Sequence, residues 1–322
     1  MKNRKSGETV ALIGNGFDLN HGYKTDYGSF VNAVRAPALD VFRALCEKYG
    51  ETETWYDFEN NVERLTLKLF RGSVSDGAEH ESNRREAEAL CGSFGRIHLL
   101  LAEYLAAETA KHPPEIQPAL AKYLSPHTLA LNFNYTDTAS AYTDNVFFVH
   151  GSLKENDILL GYDYRAEPCL AGYEDMRWSK ALCREMLRFR RALRSQGITP
   201  GSDLFRKRCD AMELYLAAAN SARGLDGDAE PEKRIPEYSY AARFANTPDE
   251  TSPDCSRAKR IIVLGHGIRA DREYLRAVLE NCAGLEEVAV FRHTRESDAE
   301  HEEKKAFFAP YCGRIITEYF EN

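Results

Sequence analysis

Four short polar clusters carry most of the chemistry open to this sequence: Gly14-Asn-Gly-Phe-Asp18, Asn132-Phe-Asn-Tyr-Thr-Asp137, His150-Gly151 and Gly265-His-Gly267. Glycines at 14 and 16 allow a tight turn and a close backbone approach, and amide N–H groups at a helix start suit an anion such as a pyrophosphate. Asp18 could cap that helix or hold a ribose hydroxyl. The loop is not the full G-x-G-x-x-G pattern, because Leu19 stands where the third glycine belongs and the next glycine is Gly22, so it also reads as a plain structural turn. His150 ends an apolar run and carries the side chain best suited to proton transfer near neutral pH. Asn134 offers an amide that can orient a water or a ribose, although Asn at a strand end is also a common turn former.

Other chemistries find less support. The chain has no Ser-centred nucleophile elbow, no H-E-x-x-H and no Walker lysine. Cysteines at 46, 91, 169, 183, 209, 255, 282 and 312 form no C-x-x-C pair, so no zinc knot or redox pair is indicated and no metal is expected. Asp57, Glu59 and Asp137 could act as oxygen ligands for metal-dependent cleavage of nucleic acid. Charge on a helix face is ordinarily just solvated, however, and a formal net charge of -8 repels a phosphate backbone.

These clusters need a scaffold that brings them to one place. Residues 8–16, 127–134, 145–150 and 259–267 each read as an apolar strand running into one of them. Residues 158–162 offer a further short strand, and 287–292 and 314–319 two late ones flanking a helix at 297–308. Helical spacing marks 37–49, 55–70, roughly 84–111 and most of 178–220, with a turn or short helix at 136–143. A last helix after the second glycine turn sets Tyr274, Leu275, Val278, Leu279 and Cys282 on one face.

Strands alternating with helices predict a doubly wound, mostly parallel α/β sheet of the Rossmann type, with its crevice beyond the carboxyl ends of the strands. The 322 residues, 43% hydrophobic and 29% charged, read as one folded domain with helical insertions at about 35–125 and 165–257. Residues 221–256, rich in Asp, Glu, Pro, Gly and Ser, read as a flexible surface excursion. No long apolar stretch and no signal-peptide core predict a soluble cytoplasmic protein away from membranes.

Residues 12–27, Leu-Ile-Gly-Asn-Gly-Phe-Asp-Leu-Asn-His-Gly-Tyr-Lys-Thr-Asp-Tyr, resemble the opening signature of the AbiH family of bacteriophage abortive-infection proteins. Residues 55–59 (Trp-Tyr-Asp-Phe-Glu), 132–137 with 149–151, and 264–271 (Leu-Gly-His-Gly-Ile-Arg-Ala-Asp) fit the same bacterial family. The order of these segments is also distantly similar to the nucleotide-binding domain of sirtuin-like proteins. That similarity implies Asn134 and His150 as a catalytic pair acting on a nicotinamide ribose, with Gly14, Asn15, Gly16, Asp18, Gly265, His266 and Gly267 flanking the cofactor. Thr25, Asn132 and Asp137, from the same matched segments, complete the expected binding set. The missing C-x-x-C pairs argue against the sirtuins' zinc module and against protein deacetylation. What remains implied is a hydrolase of NAD or a related nucleotide, with nicotinamide leaving through an oxocarbenium-like state and a phage-derived trigger releasing a restrained resting form. A module that binds a nucleotide signal without turnover and acts through a protein partner is the alternative, and a homo-oligomer fits either.

Overall fold

The structure, a computed structural model, describes residues 5–51, 55, 58–71, 78–161, 180–221, 241, 244–245, 252–293 and 296–320. The chain divides into two compact units, one made of Met1–Ala36, Ile97–Ile158 and Thr251–Asn322, the other of Pro37–Arg96 and Leu159–Glu250. Its strands are β1 (Thr9–Ile13), β2 (Leu129–Asn132), β3 (Val146–Phe148), β4 (Gly151–Ser152), β5 (Asp157–Ile158), β6 (Arg260–Leu264), β7 (Glu287–Arg292) and β8 (Arg314–Tyr319). Its helices are α1 (Asn15–Asn20), α2 (Tyr27–Ala33), α3 (Pro37–Lys48), α4 (Phe58–Arg71), α5 (Ala78–Thr109), α6 (Pro118–Ala121), α7 (Lys180–Ser195), α8 (Asp203–Ser221), α9 (Arg272–Glu280) and α10 (Asp298–Phe308).

Among the described residues, all strands lie in the first unit. Six of them form a parallel sheet in the order β3-β2-β1-β6-β7-β8, while β4 and β5 make a small antiparallel ribbon. The chain thus fills one half of the sheet outward from β1 and then returns to fill the other, the strand order of doubly wound dinucleotide-binding folds. The reversal falls between β1 and β6. Ile13 is in register with both Asn132 and Leu264, and Asn132 with Phe148, so β1, β2, β3 and β6 end level and release their loops at one edge.

Both faces of the sheet are covered, which is why its strands read as unbroken apolar runs. Val10 and Leu12 of β1 join Leu275, Val278 and Leu279 of α9 on one face. Ala11 and Ile13 join Phe17 of α1, Leu120 of α6 and Tyr142 on the other. Burying a Val, Leu or Ile contributes roughly 1.5–3 kcal/mol, so the centre of the sheet, where Val10, Leu12, Ile261 and Leu264 have no exposed surface, is its firmest part.

In the second unit Phe42, Trp55, Phe58 and Phe94 form an aromatic cluster, with Trp55 on Phe58 and Phe58 on Phe94 both stacked at 5.7 Å. Its helices α7 and α8 pack through Met186, Phe189, Leu193, Cys209, Met212 and Leu216. Several expected boundaries differ, among them the short strand expected at 158–162, which is only Asp157–Ile158 of β5. Helix α5 starts at Ala78 rather than near 84, since no glycine or proline in 78–83 stops it. The helical run expected over 178–220 is two helices, because Gly197, Pro200 and Gly201 interrupt it. Asp57, Trp178 and most of the excursion expected at 221–256 lie outside the described residues. Among the described residues no helix is long and apolar enough to cross a membrane.

Candidate functional site

The first glycine loop meets the fourth cluster, not open space. Gly14 N–H donates to Leu264 O and Gly16 N–H to Gly265 O, each at 3.0 Å. A Cβ on Gly16 would lie 2.7 Å from Cα of Gly265, and one on Gly14 would lie 2.5 Å from Cα of His266. Gly265 itself has φ +64°, and a Cβ there would come within 2.5 Å of the Gly16 and Phe17 backbone. The glycines at 14, 16 and 265 are therefore demanded by one backbone turn lying on another. This corrects the expectation that the amides of 14 and 16 are free for an anion, because carbonyls of the neighbouring strand end already accept from them.

The loop after β2 wraps over the same place. Asn132 holds its own turn, accepting from Asn134 N–H at 3.1 Å and donating to Thr136 O at 2.9 Å. Asn134 then donates its amide to Gly14 O at 2.9 Å. Thr138 donates to Thr136, and Thr136 to Oδ2 of Asp18 at 2.6 Å. Asp18 is buried and makes no helix-capping bond, since Gly14 takes the N-cap position, so the capping role expected of it is not its role here. Burial pushes its carboxyl up to about 6, against the lowering effect of Thr136, Thr138 and Asn134. Its Oδ1 has no hydrogen-bond partner among the described residues.

His150 leaves the end of β3 with Gly151 next to it. Gly151 has φ +75° and lies so close to Asp157 O that no side chain fits, which turns the chain into the β4–β5 ribbon. Nε2 of His150 lies 2.9 Å from Oδ1 of Asp271, and Nε2 of His266 lies 3.5 Å from Oδ2 of the same carboxylate. Phe133 sits between the rings, its centroid 4.1 Å from that of His266 and 5.6 Å from that of His150. The carboxyl edge thus gathers Gly14, Gly16, Asp18, Asn132, Asn134, His150, Gly265 and His266.

The remaining nominated residues stand apart from that set. Asp137 is exposed, accepts from Ser140 and lies 3.8 Å from Lys154. Gly267 is exposed, and Thr25 donates to Asn15, bracing the first loop from behind. The segment after α1 is held by its own contacts. Tyr23 donates to His112 O and stacks on the His112 ring, Lys24 is fastened through its backbone to Glu108 and Tyr104, and Asp26 caps α2. His21 Nδ1 faces the carbonyl of Phe17, which can only accept, so this nitrogen carries the proton and Nε2 accepts from Tyr142, whose oxygen in turn accepts from Gln117 N–H.

A family model described as bacteriophage abortive infection AbiH matches residues 10–293. The chain belongs to the AbiH family. The AbiH match runs from β1 to just past β7 and so includes every residue gathered at the carboxyl edge. No curated protein and no solved structure matches the chain. Sequence reasoning nominated the two histidines and the glycines but passed over Asp271, Phe133, Thr136 and Thr138. Asp271 closes the segment 264–271 and had a visible signal, an acidic residue shortly after a Gly-His-Gly turn, but at a helix start it reads as an ordinary cap.

Proposed function

We propose that this phage-defence protein binds NAD or a related nucleotide at the carboxyl edge of its sheet and hydrolyses it there. The observation that supports this most is the meeting of His150 and Asn134 with both glycine turns beside the point where the strand order reverses, which is where doubly wound sheets receive nucleotides. His150 would take the proton from a water whose oxygen bonds to the ribose carbon. The nicotinamide–ribose bond breaks, its electron pair leaving with nicotinamide, and the proton passes from His150 to solvent. Asn134 would steady the ribose after releasing Gly14 O. Because the Gly14 and Gly16 amides are engaged, phosphates must be held by other groups or after the two turns separate, which suits a protein whose resting form is restrained.

The test is loss of NAD with purified protein, alone and with phage lysate, comparing wild type with His150→Ala. Equal loss in both proteins would remove His150 from the chemistry. The engaged amides also favour a second reading, in which a nucleotide signal binds intact and a protein partner carries the effect. That form gains thermal stability as RT ln(1 + [L]/Kd) while the nucleotide remains chemically unchanged.

A further inference from the structure

We infer that the outer side of β8 is a docking strand for a second copy of this chain, the two β8 strands pairing antiparallel about a two-fold axis through Ile316. β8 is the last strand of the parallel sheet, six residues long and rich in the β-branched and aromatic types that strands favour. Its phase against β7 is fixed by Arg314 N–H, which donates to Glu286 O. Alternate residues of a strand turn their backbone groups to opposite sides, so Ile315, Thr317 and Tyr319 direct theirs away from β7. Among the described residues no strand pairs with that side. The far side of the sheet is blunted instead: β3 has three residues, and Lys5 donates to the outward carbonyl of Val146 and to Asp144 O. β8 carries neither lysine nor proline, and its two charges are opposite in sign, so self-pairing turns them into a contact.

Strands that pair antiparallel must each present outward groups. With the axis through Ile316, Ile315 faces Thr317 of the second copy, the two exchange N–H···O bonds, and symmetry repeats the pair. Arg314 then falls opposite Glu318 of the second copy at a pair without backbone bonds, where side chains stand closest. No other two-fold register brings these charges together. Arg314 has a side chain 70% exposed and shares the Glu287 carboxylate with Arg260, so that cluster keeps a net positive charge. Glu318 is half-buried and enters no ion pair among the described residues. Tyr319, 63% exposed, lies opposite Gly313 of the second copy, whose bare backbone leaves room for the ring. Because β3 is blunted, pairing closes at two copies and does not grow into a filament.

Sedimentation equilibrium of the full-length protein over a wide range of concentration tests this. Wild type is expected to interconvert between monomer and dimer. Glu318→Arg sets arginine against Arg314 in both symmetry-related pairs and should raise the dimer dissociation constant about tenfold. Adding Arg314→Glu exchanges the two charges and should bring the constant back toward wild type. A wild type that stays monomeric throughout overturns the inference, as does a dimer equally tight in Glu318→Arg or one not recovered in a folded double variant. Should the double variant fail to fold, wild type and Glu318→Arg decide.

Discussion

Replacing Gly265 by alanine should destabilise the protein by about 2–5 kcal/mol, a backbone part plus either overpacking or the loss of two hydrogen bonds that relieves it. Its φ of +64° is left-handed, and an L side chain there costs roughly 1–2 kcal/mol. The new Cβ would lie 2.5 Å from Gly16 Cα, Gly16 C and Phe17 N, all backbone atoms that cannot swing aside. Overpacking of that kind costs roughly 1–3 kcal/mol. Relief by parting the two turns sacrifices the bonds from Gly14 N–H to Leu264 O and from Gly16 N–H to Gly265 O, each contributing roughly 1 kcal/mol. Gly22→Ala is the control, since Gly22 has φ +83° and nothing within 4 Å of a new Cβ, so it should cost only the backbone part, roughly 1–2 kcal/mol. Urea unfolding of the two variants, analysed with a common slope, measures the difference. If Gly265→Ala proves no more destabilising than Gly22→Ala, the two glycine turns do not lie against each other as described.

Asp18 titrates at about 6 in the fold against an ordinary 3.8. The folded chain therefore binds the extra proton, and its contribution is fully present below about pH 4 and falls by about 3 kcal/mol as pH rises past about 6. Asp18→Asn should abolish that slope in urea midpoints taken across this range, and an unchanged slope would place its origin elsewhere. Tyr142→Phe strands both His21 Nε2 and Gln117 N–H and should cost about 1–3 kcal/mol, so a variant as stable as wild type would refute that network. Burial also holds His21 below its ordinary 6.5. Its share of stability is therefore present above that value and declines as pH falls below it, a trend that His21→Gln should flatten. The buried thiols of Cys255 and Cys282, pushed up to about 12 and about 11, should react with a thiol reagent at neutral pH only when the protein unfolds. Rapid labelling of the native protein would contradict their placement.

The strands were readable because a sheet buried on both faces leaves runs such as Val10-Ala-Leu-Ile13 and Arg260-Ile-Ile-Val-Leu264 with no polar alternation, each stopped by glycine. Their neighbours were not. Nothing local in β1 says that β6 rather than β3 lies beside it, because pairing depends on crossovers whose helices are interrupted by long insertions. The helix α1 is a short turn of chain with Gly16 inside it, too brief for a periodic signal. At the site, residue type pointed correctly to polar strand ends but not to what each side chain touches. A glycine forced by a ligand and a glycine forced by another backbone look alike in sequence, so Gly14 and Gly16 suggested phosphate where the structure has Gly265. Asp137 and Asp271 show the converse: the first ends a promising cluster and the second follows one, yet only the second is buried, beside two histidines on different segments.

The interlocked turns come from opposite ends of the chain, and this governs when the edge can exist at all. During synthesis on the ribosome β1 emerges first and must wait for most of the polypeptide before β6 arrives beside it. Until then one side of β1 offers a bare ladder of amide and carbonyl groups, and neither His266 nor Asp271 has been translated. A nascent product that stops before β6 therefore lacks the assembled edge, and a cell making a protein that acts in abortive infection meets the competent form only after the residues through Asp271 have been read out.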